Sequence, residues 1–119
     1  MVIAVDIDGV LCEEDKSNTD YLVRKPLFEG IILVSLLKLK GFKIKLFTAR
    51  FEEDRDLTKK WLDLHGIEYD ELIMGKPQYD FILDDRAVDV KSLLYKVSST
   101  QDFIEESELG GRREREKME

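Results

Sequence analysis

The sequence has few residues that cross-link or interrupt a chain. Its 119 residues include one cysteine and two prolines. A single cysteine excludes an intramolecular disulfide and favours a reducing compartment. Apolar runs such as residues 31–34 are far too short to cross a bilayer, so no membrane partner is expected. No basic region precedes the short apolar run near the N-terminus. We therefore expect no signal peptide and a cytoplasmic location.

A broad basic surface is also missing. The chain carries 19 Lys and Arg against 26 Asp and Glu, for a net charge of -7. This balance argues against a broad nucleic-acid-binding surface, but not against an enzyme acting on one phosphate at a polynucleotide end. What the chain does have is 43% apolar and 9% aromatic residues. That composition favours one globular domain with a real core over disorder.

Two acidic residues, Asp6 and Asp8, follow a short apolar run at residues 2–5. The run is rich in β-branched residues and bounded by turn residues, which is typical of a buried strand. Gly9 lets the backbone turn directly after the pair. Two carboxylates this close repel each other unless a cation lies between them or one keeps its proton. The pair therefore predicts a metal-assisted catalytic site.

The next elements are read from polarity and periodicity. Residues 12–25 are polar and predict a loop or small flap beside the acid pair. Pro26 fits the first turn of a helix at residues 27–40, and Gly41 fits the position just past its end. Residues 43–47 alternate between polar and apolar side chains and predict a second strand.

The second half of the chain repeats this alternation. Leu57, Trp61 and Leu64 recur at helical spacing and predict the buried face of a second helix. Short strands are predicted at residues 69–74 and 81–83. A last helical face is predicted from four apolar residues, Val90, Leu93, Leu94 and Val97.

Strands that alternate with helices predict an α/β fold. The expected architecture is a doubly wound, mostly parallel sheet with helices on both faces. Residues 1–100 are expected to form one domain, and residues 101–119 a charged, partly disordered extension. In such a sheet the functional site lies at the carboxyl ends of the strands. Polar groups stand at or near three of these ends, namely Asp6, Asp8, Thr48, Arg50, Lys76, Asp84 and Asp85.

Four motifs carry a family resemblance. They are Asp6-x-Asp8-Gly9-Val10-Leu11, Leu46-Phe47-Thr48-Ala49-Arg50, Gly75-Lys76-Pro77 and Ile82-Leu83-Asp84-Asp85-Arg86. In order and position they resemble the four motifs of the haloacid dehalogenase superfamily of phosphatases. The match spans about residues 1–97 and implies a phosphoric monoester hydrolase.

The resemblance implies a role for each motif residue. Asp6 would be the nucleophile that forms an aspartyl-phosphate intermediate. Asp8 would be the general acid toward the leaving oxygen and then the base toward water. Cys12 would be a bystander, because the family nucleophile is Asp6. The phosphate-binding residues would be Thr48, Ala49, Arg50 and Lys76.

The resemblance also implies a metal cofactor. Asp85 would ligate the metal directly, Asp84 would hold its water shell, and Asp6 and Asp8 would complete the site. Hard oxygen ligands with waters suit Mg²⁺. Charge counting agrees, because four carboxylates around a phosphate need a divalent cation as well as Lys76.

Several residues keep a second interpretation. The pair Asp84–Asp85 can instead cap a helix that begins near Arg86. Arg50 is either a contact to substrate or phosphate, or a member of a surface ion pair. Asp80 either orients Lys76 or simply starts the fourth strand.

The spacing between motifs leaves no room for the cap domain that many members of this superfamily insert. An open site has two common consequences in the family, a large substrate or a neighbouring subunit that covers it. The helix at residues 27–40 is apolar on more than one side. It is therefore either wedged between the sheet and other helices or part of a subunit interface, and we expect a homo-oligomer.

The sequence interpretation is thus a Mg²⁺-dependent, capless phosphatase of small phosphomonoesters. A sugar phosphate is favoured as substrate, since no basic or aromatic platform for bases is evident. A nucleotidase and a phosphatase of polynucleotide or protein phosphate are the alternatives within the superfamily. From another class, a non-catalytic binding module is also considered.

Overall fold

A computed structural model of the chain describes residues 1–17 and 20–99. Its strands and helices are β1 (Val2–Asp6), α1 (Phe28–Leu39), β2 (Lys43–Phe47), α2 (Arg55–Leu64), β3 (Glu71–Ile73) and α3 (Val90–Ser98). Short 3-10 turns lie at Tyr21–Val23 and Glu52–Asp54. The predicted extension at residues 101–119 lies outside the described residues. Within the described ranges, no helix is long and apolar enough to cross a membrane.

The three strands form one parallel sheet in the order β1-β2-β3. Val2 lies opposite Lys43 and Asp6 opposite Phe47, so β1 and β2 end together. Lys45 pairs with Glu71, which places β3 along the carboxyl-terminal half of β2. This arrangement confirms the predicted α/β fold with a parallel sheet. Strands β2 and β3 both lie on the same side of β1. The doubly wound arrangement therefore stays a prediction.

One face of the described sheet is covered and the other is not. Ile44 and Leu46 are completely buried, whereas their neighbours Lys43 and Lys45 are exposed. In β1, Val2 is 54% exposed and lies opposite Lys43 on the same open face. The prediction of helices on both faces therefore does not hold within the described residues. Alternation of this kind is the pattern of a sheet with one wet face.

Helix α1 supplies much of the core. It begins after Pro26 and ends before Gly41, whose φ of +90° suits the residue that follows a helix. Three of its side chains, Leu33, Val34 and Leu37, are buried against the covered face of the sheet and against α3. This helix and its limits agree with the prediction to within one residue at each end.

Helix α2 is in the predicted place but turns a different face inward. Its buried residues are Thr58, Trp61 and Leu62, whereas Leu57 and Leu64 are exposed. Trp61 is correctly placed in the core. The Thr58 hydroxyl donates to the Asp54 carbonyl oxygen, so a polar residue is satisfied on the buried side.

The predicted fourth strand is not formed in the described residues. Residues 81–83 have no regular secondary structure, Phe81 is 92% exposed and Leu83 is fully exposed. Helix α3 then begins at Val90, where the Asp89 carboxylate accepts from the Ser92 N–H at 2.8 Å. Asp84 and Asp85 therefore do not cap this helix, because Asp89 does.

Candidate active site

A tight turn presents the acid pair at the end of β1. The carbonyl oxygen of the buried Ile7 accepts from the backbone N–H groups of Val10, Leu11 and Cys12 at 3.2, 2.9 and 3.2 Å. Gly9, with φ of +92°, permits this turn as expected. Helix α1 closes onto the turn through Gly30, which is buried and lies directly against Val10. The position of Asp8 is thus fixed by backbone contacts on two sides.

Asp6 is bound by Lys76. The Lys76 ammonium lies 2.8 Å from Asp6 Oδ2 and 3.0 Å from the Tyr79 hydroxyl, and it sits 4.3 Å above the centre of the Phe47 ring. Burial alone would lower the pKa of Lys76, but its hydrogen bonds to Asp6 and Tyr79 outweigh that effect and raise it. Lys76 is therefore held as a cation against the predicted nucleophile.

The loop that carries Lys76 is anchored to the end of β2. The Gly75 N–H donates to the Arg50 carbonyl oxygen, and the Lys76 N–H donates to the Thr48 carbonyl oxygen, both at 2.9 Å. These bonds bring two motifs that are distant in sequence to the same sheet edge, as predicted.

Asp8 is bound by different groups. Arg50 grips both carboxylate oxygens, with Nη2 at 2.8 Å from Oδ1 and Nε at 3.2 Å from Oδ2. The Thr48 hydroxyl donates to Oδ2 at 3.1 Å. Burial would raise the pKa of Asp8, but Arg50, followed by Thr48 and Cys12, outweighs burial and lowers it. Asp8 is therefore stabilised as a carboxylate.

Arg50 and Thr48, which were predicted to bind phosphate, are both buried. Thr48 is completely buried and Arg50 nearly so. The third arm of the Arg50 guanidinium, Nη1, donates to the Thr58 hydroxyl at 3.0 Å. Arg50 forms an ion pair with Asp8, but this pair is largely buried and is not the surface ion pair that was considered from the sequence. The guanidinium also borders the open cleft.

A residue of the flap, Arg24, was missed by sequence reasoning. Its Nη1 lies 3.1 Å from Asp8 Oδ1, and its Nη2 donates to the Asp15 carbonyl oxygen at 2.8 Å. The Trp61 indole N–H donates to the Arg24 carbonyl oxygen at 2.8 Å, which fastens the flap to α2. The available signal was an arginine and a tyrosine within the polar flap beside the acid pair.

The flap also contributes an aromatic wall. The Tyr21 ring lies 3.9 Å from the Arg50 guanidinium carbon and 5.0 Å from that of Arg24. Stacking of this kind holds a guanidinium without taking up its hydrogen-bond donors. Tyr21 thus orders the two arginines that bind Asp8.

Cys12 contacts Asp8 but is not placed to act as a nucleophile. It is completely buried, and its thiol donates to Asp8 Oδ1 at 3.5 Å. Burial, together with the negative charge of Asp8, raises the pKa of Cys12 to about 11. A thiol of this kind is a poor nucleophile, which agrees with the interpretation of Cys12 as a bystander.

These groups surround one open cleft of about 500 Å³ between the strand ends and the flap. Of the predicted catalytic and phosphate-binding residues, Asp6, Asp8, Ala49, Arg50 and Lys76 line it, and Thr48 lies buried beneath Asp8. Asp80 also lines the cleft and is exposed. The cleft therefore combines the acid pair with the cations Lys76, Arg50 and Arg24, and it carries further charged side chains on its wall.

The two predicted metal ligands of the last motif lie elsewhere. Asp84 and Asp85 are exposed, and Asp84 Oδ1 accepts from the Arg86 N–H in a local turn. In the part of the chain that the structure describes, no three His, Cys, Asp or Glu side chains lie close enough together to hold a metal ion. The acid pair is instead offset by Lys76, Arg50 and Arg24.

Comparison with known proteins identifies a fold. No protein-family model matches the chain, and no curated protein matches it. The crystal structure of a Vibrio cholerae protein, described by a target designation alone, is similar with a TM-score of 0.67 and 25% identity. The match covers 82% of this chain and 94% of that one.

Two further similar structures are larger. A chain of the Pnkp1/Rnl/Hen1 complex shares 21% identity at a TM-score of 0.57, over 84% of this chain and 33% of that one. A chain of the Pnkp1/Rnl/Hen1 RNA repair complex shares 19% identity at 0.55, over 84% and 31%. This chain spans about a third of their length. At these identities the likeness shows a shared fold.

Proposed function

We propose that the protein is a phosphatase of the haloacid dehalogenase type that hydrolyses phosphomonoesters. The observation that carries this proposal is Asp6, a carboxylate at the carboxyl end of a parallel strand, held 2.8 Å from the Lys76 ammonium in an open cleft. A carboxylate can attack phosphorus only where cations offset the charge of the incoming phosphate, and Lys76 provides one. The four sequence motifs and the α/β fold with a parallel sheet support the same class.

In the first step, an Asp6 carboxylate oxygen forms a bond to phosphorus. The ester bond between phosphorus and the leaving oxygen breaks, and the leaving oxygen takes the proton of the acid form of Asp8 to become an alcohol, which leaves Asp8 as a carboxylate. The Lys76 ammonium stabilises charge on the phosphoryl oxygens as the bonds change. Positioning and charge do most of the work, because phosphoryl transfer passes through a loose transition state.

In the second step, a water attacks the aspartyl-phosphate and its proton passes to Asp8. The products are inorganic phosphate and free Asp6. The contacts of Arg50, Arg24 and Thr48 suit Asp8 to this role, because they hold it ready to accept a proton. For Asp8 to donate a proton in the first step, phosphate must draw these donors away from it.

Magnesium stays a prediction from the sequence. When bound, Mg²⁺ would offset phosphate charge, with Asp6, Asp8, Asp84 and Asp85 as its predicted ligands. Within the described residues, Asp84 and Asp85 do not join Asp6 and Asp8, so the four predicted ligands do not form one metal site. No step above depends on it.

The substrate is not distinguished by the acid pair itself. A sugar phosphate, a nucleotide and a phosphorylated polynucleotide or protein all present the same phosphate group to Asp6. The similarity to chains of an RNA repair complex gives some support to the polynucleotide alternative. The residues around the acid pair, and not the pair itself, must distinguish these substrates.

The test is hydrolysis of a generic aryl phosphate, with and without Mg²⁺, by wild type and by Asp6→Asn. We expect turnover in the wild type and a loss of at least about 1,000-fold in the variant, because the nucleophile is removed. Asp63→Asn, at an exposed acid of α2, is the matched control and should keep full activity. An inactive wild type, or an Asp6→Asn enzyme equal to it, would contradict the proposal. Phosphate-ester binding without turnover would favour the binding module.

A further inference from the structure

We propose that the cleft takes a nucleoside monophosphate, and that Phe51 and Tyr79 hold its planar base. The placement of the phosphate rests on the proposed phosphatase function. Three aromatic side chains, Tyr21, Phe51 and Tyr79, line the same cleft as the acid pair. The expectation that the chain offers no aromatic platform, which favoured a sugar phosphate, is therefore not met by the structure.

Two of the three rings are exposed in the cleft, and Lys76 Nζ lies 4.8 Å from the centre of the Tyr79 ring. Tyr21 is half-buried and stacked on Arg50, so it belongs to the wall. Phe51 is 70% exposed and Tyr79 is 48% exposed. Single exposed aromatic residues are ordinary. Two exposed rings on one cleft that also holds cations form the combination that binds bases, because every base has a π-face to stack on.

The Tyr79 ring stands next to the reacting atoms, and Phe51 follows a residue that binds the acid pair. The Tyr79 hydroxyl is 3.0 Å from Lys76 Nζ, which is itself 2.8 Å from Asp6 Oδ2. Phe51 directly follows Arg50, whose guanidinium binds Asp8. Both rings therefore flank the cations that face the acid pair. A phosphate at Lys76 places the sugar next to it and a base beyond the sugar, whereas a sugar phosphate would leave both rings in water.

The charge of the cleft favours a single phosphate. Glu14, Asp15, Lys16 and Asp80 line its remaining wall, so three carboxylates outnumber one cation there and a second or third phosphate would meet net negative charge. The same acids can accept hydrogen bonds from sugar hydroxyls or from a base amino group. A volume of about 500 Å³ lies within the usual range for small-molecule sites. A mononucleotide fits these features better than a polynucleotide, whose backbone would carry further charge past the acids.

The experiment compares kcat/KM for adenosine 5′-monophosphate and ribose 5-phosphate, which differ by the base. In the wild type we expect the nucleotide to be favoured by about 5- to 150-fold, the range that one stacked base contributes. Phe51→Ala should lose much of that preference while its rate on ribose 5-phosphate changes less. Tyr79→Ala should also lose much of the preference, and its rate on both substrates should fall because the hydroxyl beside Lys76 is removed. Tyr79→Phe, which keeps the ring, should keep the preference. Tyr95→Ala, at an exposed tyrosine of α3, is the matched control.

Each contrary result has a definite meaning. Equal kcat/KM for the two substrates in the wild type, or an unchanged ratio in both alanine variants, overturns the proposal. So does a clear preference for a phosphorylated oligoribonucleotide over the mononucleotide. If neither substrate is hydrolysed, the phosphatase function fails, and calorimetry on Asp6→Asn decides the inference alone. Tighter binding of adenosine 5′-monophosphate than of ribose 5-phosphate supports a base site, and equal or absent binding refutes it.

Discussion

Helix α1 meets the turn that carries the acid pair at Gly30, and this contact sets a sharp test. A Cβ at Gly30 would lie 2.0 Å from the Val10 carbonyl oxygen and 2.8 Å from its carbonyl carbon. Both are backbone atoms of a turn pinned by Ile7, so neither can swing aside as a side chain would. Restoring an ordinary contact of roughly 3.5 Å requires the helix and the turn to separate by more than about 1 Å.

The expected cost of Gly30→Ala follows from two opposing effects. In an unconstrained helix, Ala is favoured over Gly by about 1 kcal/mol. Overpacking a close contact costs about 1–3 kcal/mol, and a clash with backbone belongs at or above the upper end. We therefore expect a net loss of about 2 kcal/mol in the free energy of unfolding. For a domain of this size that corresponds to a fall in Tm of roughly 8 °C.

Urea and thermal unfolding measure this cost. Ser35→Ala, at an exposed position of the same helix, is the matched control and should be stabilising by about 0.5 kcal/mol. Because Val10 follows Asp8 so closely, hydrolysis by Gly30→Ala should also fall. A Gly30→Ala protein as stable as the wild type, or more stable, would refute the close contact between α1 and the turn.

Two further outcomes are expected. Cys12 is buried and its pKa is about 11, so iodoacetamide at pH 8 should leave the thiol of the native protein unmodified and should react fully with it in urea. Rapid modification of the native protein would show that solvent reaches Cys12. Phe28, Ile32 and Leu39 are exposed along one side of α1, so sedimentation should show a dimer or larger oligomer. Ile32→Glu should dissociate it. A wild-type monomer at working concentration would refute the homo-oligomer hypothesis.

Local periodicity was sufficient for most of the elements. Residues 43–47 and the helices around them follow from alternation, from Pro26 and from Gly41, all of which act within a few residues. The same reasoning placed the acid pair at a strand end. The inward face of α2 could not be found this way, because Thr58 is buried through hydrogen bonds to Arg50 and Asp54 and not through hydrophobicity.

The sequence pattern of β2 already indicated an exposed sheet face, but the prediction followed the order of strands and helices instead. Lys43 and Lys45 alternate with Ile44 and Leu46, which already indicates that one side of β2 faces water. The alternation of strands and helices along the chain favoured a sheet covered on both sides. A local pattern of two lysines was the better guide to burial within the described residues.

Only part of the positive charge around the acid pair could be predicted, because charge counting gives a sum and not a partner. The count required positive charge near Asp6 and Asp8, and the resemblance supplied Lys76 and a metal. The structure places Lys76 against Asp6 and adds Arg50 and Arg24 against Asp8. Arg24 is 16 residues from Asp8, in a flap with no readable motif, so only the folded chain shows that they meet.

The fourth strand and the predicted metal site depend on each other. Within the described residues β1 pairs with β2 alone, so its other edge carries no strand, and residues 81–83 form an exposed apolar run. A parallel strand beside β1 would bury that run and end where β1 ends, which would bring Asp84 and Asp85 to Asp6. Without that strand the two acids lie apart from the cleft. Magnesium binding by all four acids therefore requires residues 81–85 to move toward β1, whereas the pairing of Asp6 with Lys76 requires no movement.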